Sequence, residues 1–203
     1  MKVVVCDLGI GNLHSLRKGL EASGADVRVS GEPGAWLDAD ALVLPGVGAF
    51  GAGMRALDPV RDALRAKLTA GAPALGVCLG LQLLLEHSAE SPNSDGLKFI
   101  RGDVKAFPKF GGPKVPHMGW SKVRHRGDPA FEGVPDDSYF YFVHSYYPDP
   151  EDDVGIAETS HGLSFSSAVR KGNTWAAQFH PEKSGPHGLR FLQNWVRHAE
   201  AVL

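Results

Sequence analysis

Cysteine is scarce in this chain of 203 residues: there are two, Cys6 and Cys78. Each stands on or just after an apolar run that reads as a buried strand, which suits reduced thiols in a cytoplasmic protein better than a disulfide framework. Charge of one sign is also lacking. The formal net charge is −2, with Lys and Arg scattered among Asp and Glu, so there is no footprint for nucleic acid or an anionic membrane. No apolar run is long enough to span a bilayer, and no signal peptide is legible. None of the nine histidines falls in a Cys-x-x-Cys or His-x-x-x-His arrangement, so neither a metal site nor another cofactor is expected. The chain also lacks a linker. With 43% apolar content it can build one substantial core, and a single domain over residues 1–203 is expected.

What is present is organised around APALGVCLGLQLLLEHS, residues 72 to 88. Ala74 to Val77 is a short apolar run of the kind a buried parallel strand shows, and Leu79 to His87 carries good helix formers. The chain must therefore turn at Cys78. A nucleophile at a sharp strand-to-helix corner is held out of the sheet, and small residues two positions away on either side, Gly76 and Gly80, let the corner close. The following helix aims its free N–H groups and positive end at the sulfur, which favours thiolate, and the N–H of Leu79 becomes a candidate oxyanion donor. On this motif alone, a buried structural thiol between two packing glycines is an equal reading.

Upstream, apolar runs alternate with helical patterns, the mark of βαβ units on a parallel sheet. Strands are expected at Val3 to Cys6, around Val27 and Val29, and at Ala41 to Leu44. Helices are expected from Asn12, as the cap, to Ser23, and from Asp58 to Gly71. DLGIGN at 7 to 12 follows a strand as a dinucleotide-binding loop would, but His14 occupies the place of the third glycine, so it reads as a tight turn. PGVGAFG at 45 to 51 reads either as a surface turn or as a loop whose Gly46 and Gly48 let backbone N–H groups approach a ligand oxygen, with Val47 as a second oxyanion donor. It and Cys78 both leave the carboxyl ends of parallel strands, where ligands bind in such folds.

Beyond Pro92 the pattern becomes strand-like pieces joined by turns, which implies an antiparallel or mixed extension, closed by a helix from about Pro186 to Val202. QFHPEKS at 178 to 184 ends one strand. Extended backbone would place His180 and Glu182 on one face, as base and orienting carboxylate for a cysteine nucleophile. A surface His and Glu in a proline turn is the other reading. Phe140 and Phe142 read as core, whereas His117, Trp120, His144 and Tyr146 sit beside turn formers and could line a site or a partner surface.

GVCLGLQ at 76 to 82, PGVG at 45 to 48 and HPE at 180 to 182, in that order, resemble the class I glutamine amidotransferases. PHMGW at 116 to 120, FVHSYY at 142 to 147 and PEKSG at 181 to 185 look like the histidine-biosynthetic branch, the glutaminase subunits of imidazole glycerol phosphate synthase. Leu81 stands where anthranilate and carbamoyl phosphate relatives often carry histidine. The resemblance implies a flavodoxin-like α/β fold, and L-glutamine as substrate. It implies Cys78 as nucleophile, His180 as proton carrier, Glu182 as its orienting partner, and Val47 and Leu79 N–H groups at the oxyanion. Gly46, Gly48, Gln82, Glu90, Ser145 and Tyr146 would hold the glutamine. Asn12, Trp120 and Lys183 would face a (β/α)₈ cyclase subunit in a heterodimer, which takes the ammonia to make imidazole glycerol phosphate and aminoimidazole carboxamide ribotide.

Overall fold

A computed structural model describes residues 1–11, 13–108 and 110–203. Five strands form the parallel part of the main sheet: β1 (Lys2–Cys6), β2 (Asp26–Ser30), β3 (Ala41–Leu44), β4 (Ala74–Val77) and, from far along the chain, β12 (Thr174–Ala177). Their order is β2-β1-β3-β4-β12, all parallel, which is the flavodoxin-like doubly wound arrangement. The same sheet continues antiparallel through β11 (Ser164–Lys171), β10 (Gly155–Ser160), β7 (His117–His125) and β8 (Ser138–His144). A small second sheet holds β5 (His87–Ser88), β6 (Gly102–Ala106) and β9 (Tyr146–Pro150). The α/β class and the antiparallel extension therefore stand as expected.

Helices cover both faces because the central strands are apolar on both faces. In β1, Val3 and Val5 belong to one buried cluster and Val4 and Cys6 to the other, the two-residue alternation dividing the strand between two cores. The first cluster takes Leu16 and Leu20 from α1 (His14–Ala22) and Phe191, Leu192, Trp195 and Val196 from α6 (Gly185–Ala201). The second is covered by α2 (Pro33–Leu37), α3 (Phe50–Leu57), α4 (Arg61–Thr69) and α5 (Leu79–Leu83). Trp195 donates its indole N–H to the Ala74 carbonyl at 3.1 Å, fixing α6 against the strand that leads to the corner at Cys78.

Three elements differ from those expected, and Asn12, expected to cap α1, lies outside the described residues. α3 begins inside the PGVGAFG segment, its interior admitting Gly51 and Gly53 because Ser91 and Leu83 pack where their side chains would be. The helix after Cys78 ends at Leu83 rather than His87, since the chain must leave it for β5. The aromatic run expected as one strand over Tyr139 to Tyr147 is two, β8 and β9, in different sheets and broken at Ser145.

Candidate active site

The corner at Cys78 is strained in the way a displayed nucleophile requires. Cys78 has φ 51° and ψ −102°, a backbone state that non-glycine residues rarely adopt and that costs roughly 1–3 kcal/mol. The surrounding packing holds it there. The Cys78 N–H donates to the Ala177 carbonyl at 2.7 Å, and a Cβ on Gly80 would lie 1.9 Å from the Leu44 carbonyl oxygen. Both glycines singled out in the sequence thus serve close approach, Gly76 against Ala176 and against Gly80 itself.

His180 and Glu182 do meet, by a different route from the one expected. β12 ends at Ala177, and Pro181–Lys183 form a single 3₁₀ turn, so the two side chains are brought together by helical rather than extended backbone. Nδ1 of His180 lies 2.8 Å from Oε1 of Glu182, with both side chains buried. A carboxylate only accepts, so Nδ1 carries a proton and Nε2 is the nitrogen that can exchange one. Nε2 of His180 and Oε2 of Glu182 are buried and meet no hydrogen-bond partner among the described residues. Burial disfavours the imidazolium, but the Cys78 sulfur and the Glu182 carboxylate outweigh it and raise the His180 pKa to about 9.

Ser184 holds this turn in place. Its hydroxyl donates to the His180 carbonyl at 2.6 Å and accepts the Tyr141 N–H at 3.0 Å, while the His180 N–H donates to the Tyr141 carbonyl at 2.9 Å. The last residue of QFHPEKS therefore ties the candidate base to β8, a role the sequence did not show.

A cleft of about 220 Å³ opens beside the sulfur, a size that suits an amino acid. It is lined by Val47, Gly48, Cys78, Leu79, Gln82, Glu90, Val143, His144, Ser145 and Tyr146, so most of the expected glutamine-binding residues converge on it. Gly46 does not. It lines a smaller cavity with His180 and Glu182 behind the PGVG loop, where a side chain on it would strike Leu79. Glu90 has a second task, since its Oε2 accepts the Phe50 N–H at 2.6 Å and so terminates α3. The Leu79 N–H, expected as an oxyanion donor, is directed instead at the Gly46 carbonyl oxygen, 3.4 Å away.

The Tyr146 carbonyl accepts from Nδ1 of His144 at 2.8 Å and from the Gln82 amide nitrogen at 3.1 Å. His144 must then accept at Nε2, which makes His117 the donor from Nδ1 across 3.0 Å and leaves Nε2 of His117 to accept from Ser121 at 2.8 Å. Burial holds both rings neutral, with the pKa of His117 lowered to about 4 and that of His144 to about 3. Trp120, half exposed, packs edge-on to Tyr141, and the Lys183 ammonium lies 5.8 Å over the same ring. Two of the three residues expected at a partner surface therefore share one exposed patch. Among the described residues no His, Cys, Asp and Glu cluster could hold a metal, and no helix is long and apolar enough to cross a membrane.

The family described as glutamine amidotransferase class-I matches residues 4–199. Imidazole glycerol phosphate synthase subunit HisH of Methanosarcina barkeri is 47% identical over 198 residues, covering 96% of this chain and 98% of that protein. The HisH subunit of Thermococcus kodakarensis is 48% identical over 201 residues, covering 96% and 99%. Among solved structures, a glutamine amidotransferase superposes with a TM-score of 0.76 at 19% identity over 98% of each chain, and PurLQS from Thermotoga maritima with 0.75 at 17% identity over 97% of each, likenesses of fold. The chain belongs to the class I glutamine amidotransferases, in the branch of the imidazole glycerol phosphate synthase HisH subunits.

Proposed function

We propose that Cys78, His180 and Glu182 hydrolyse the side-chain amide of L-glutamine, and that this chain works as the glutaminase subunit of imidazole glycerol phosphate synthase in histidine biosynthesis. One observation carries the assignment: a buried His–Glu pair stands beside a cysteine displayed on a strained corner over an amino-acid-sized cleft. Nε2 of His180 takes the thiol proton, and the sulfur attacks the amide carbon. The tetrahedral intermediate then expels ammonia as the imidazolium returns that proton to the departing nitrogen. Water attacks the resulting glutamyl thioester, losing a proton to His180, and glutamate leaves as the thiol re-forms.

Gln82, Glu90, Ser145, Tyr146 and Gly48 hold the glutamine. Both amide N–H groups of Gln82 are committed to protein acceptors, so its Oε1 is what it offers the substrate, and the Glu90 carboxylate suits the α-ammonium. The oxyanion needs the N–H groups of Leu79 and Val47. In this arrangement the Gly46 carbonyl occupies the first, so the Gly46–Val47 peptide must turn over to release one donor and present the other. Seating a (β/α)₈ cyclase subunit against the Trp120 and Lys183 patch, close to His180, would favour that turn and receive the ammonia.

Glutamate release tests this reading. The chain alone, and then mixed with cyclase subunit and its ribonucleotide substrate, should show large stimulation by partner plus ligand that Cys78→Ala abolishes. Equal activity with and without the partner would leave a glutaminase with a different acceptor.

A further inference from the structure

Gln178 is fully buried one residue past the β12 strand, and neither the triad nor the cleft accounts for it. Its amide nitrogen lies 3.3 Å from the Cys78 sulfur and its amide oxygen accepts from Gln82 at 2.9 Å. The orientation of this chain of amides is fixed from its far end. The Tyr146 carbonyl can only accept, so the Gln82 group facing it is its NH₂. The second N–H of that group reaches Gln178, which must therefore present Oε1 there and its own NH₂ to the sulfur. The Gln178 backbone N–H is separately bonded to the Ser167 carbonyl at 2.9 Å, which anchors the side chain at its root.

Besides the His180 ring, the sulfur also faces the Val143 carbonyl at 3.8 Å, which only the protonated thiol can use. The two contacts thus pull in opposite directions: Val143 favours the thiol, and a donor amide favours the thiolate. We propose that Gln178 is a positioning residue that donates an N–H to the Cys78 thiolate, held in that orientation by Gln82, so that the residue forming the wall of the glutamine cleft also sets the readiness of the nucleophile. The proposal rests on Cys78 being the nucleophile of the proposed function. It ties substrate to sulfur, since a ligand that binds Gln82 acts on the same amide chain that holds Gln178.

The test is alkylation of Cys78 by iodoacetamide in the full chain, followed by mass spectrometry across a pH series. Fully buried Cys6, whose thiol burial pushes far up, serves as the internal unreactive control. Gln178→Met keeps the bulk and removes the donor. It should move the alkylation midpoint up by about 1 pH unit and slow alkylation at neutral pH by roughly tenfold. Gln178→Glu, which turns a carboxylate oxygen to the sulfur, should move the midpoint further. A packing role alone would lower the melting temperature of both variants and leave the midpoint where it is, and that result overturns the proposal. Gln82→Met is the check if either variant fails to fold: freeing the Gln178 amide should shift the midpoint the same way by less, and no shift refutes the orienting chain. Glutamate release measured beside it separates the two readings. Activity surviving in Cys78→Ala removes the nucleophile assignment, whereas an inactive Cys78→Ala with an unmoved midpoint in the Gln178 variants removes only the role of Gln178.

Discussion

Glu182→Gln isolates what the carboxylate contributes to the base, because glutamine keeps the shape and removes the charge. The rise in the His180 pKa, from 6.5 to about 9 against the opposing effect of burial, corresponds to roughly 3 kcal/mol in favour of the imidazolium, shared between the Cys78 sulfur and Glu182. Both side chains of the pair are almost fully buried, so solvent screening takes little from this figure. If Glu182 supplies about half, its loss costs roughly 1.5 kcal/mol, or about tenfold in the step that forms the imidazolium. The tautomer adds to this. A glutamine can turn its NH₂ toward Nδ1 and so put the ring proton on Nε2, where it blocks uptake of the thiol proton. A fall in kcat of about 30- to 1000-fold is expected, with KM for glutamine little changed because Glu182 lies outside the cleft. The assay is glutamate release by the assembled synthase at saturating glutamine. A kcat within about threefold of the parent would refute both the orienting role and the assignment of His180 as the proton carrier.

Gly80→Ala should cost about 3 kcal/mol or more of stability in urea unfolding, since its Cβ would overlap the Leu44 carbonyl and neither backbone can yield cheaply. Trp120→Ala should leave the chain folded and weaken its complex with the cyclase subunit by roughly 2 kcal/mol, about 30-fold in Kd by titration, an unchanged Kd removing Trp120 from the interface. His117 and His144 have folded pKa values near 4 and 3, below the unfolded value, so the stability they support is complete above pH 6.5 and is lost as pH falls toward 3. His144→Gln should flatten that acid limb in a pH series of unfolding midpoints. His180 has the opposite sign: its contribution is complete below pH 6.5 and is lost as pH rises through about 9, a limb that Glu182→Gln should shrink.

The parallel half of the fold was legible because its strands are buried on both faces and show as short apolar runs, Ala41 to Leu44 and Ala74 to Val77, bounded by turn formers. The corner at Cys78 was legible for a related reason: a strand and a helix pattern abut with one residue between them. What periodicity missed were features decided by side chains far apart in the chain. The N-terminus of α3 is completed by Glu90 and Ser91, about forty positions away, so a glycine-rich segment that reads as loop becomes helix. The His180–Glu182 pairing was right in outcome and wrong in backbone, because Pro181 favours a tight turn and Ser184 then locks it to β8. Gln178 stood in the same motif as His180, but nothing in a sequence distinguishes an amide that faces a sulfur from one that fills a core.

The site divides its work between backbone and side chains. The position of the sulfur is a backbone property, enforced by the positive φ at Cys78, the bond to Ala177 and the absence of side chains at Gly76 and Gly80. Around the sulfur stand one backbone group, the Val143 carbonyl, and two side chains, the Gln178 amide and the His180 ring. Among the described residues the candidate oxyanion donors are the part left incomplete: the Leu79 N–H, at the start of α5, faces the Gly46 carbonyl, and the Val47 N–H belongs to the Gly46–Gly48 loop, which is neither strand nor helix. On the proposed function, a nucleophile fixed by the backbone beside an oxyanion loop that has still to turn would let substrate bind in the Gln82 and Glu90 cleft without reacting. Turnover would then be controlled by whatever turns the Gly46–Val47 peptide; the loop packs against Gly11 and Ile10, next to the start of α1 and on the same side as Lys183.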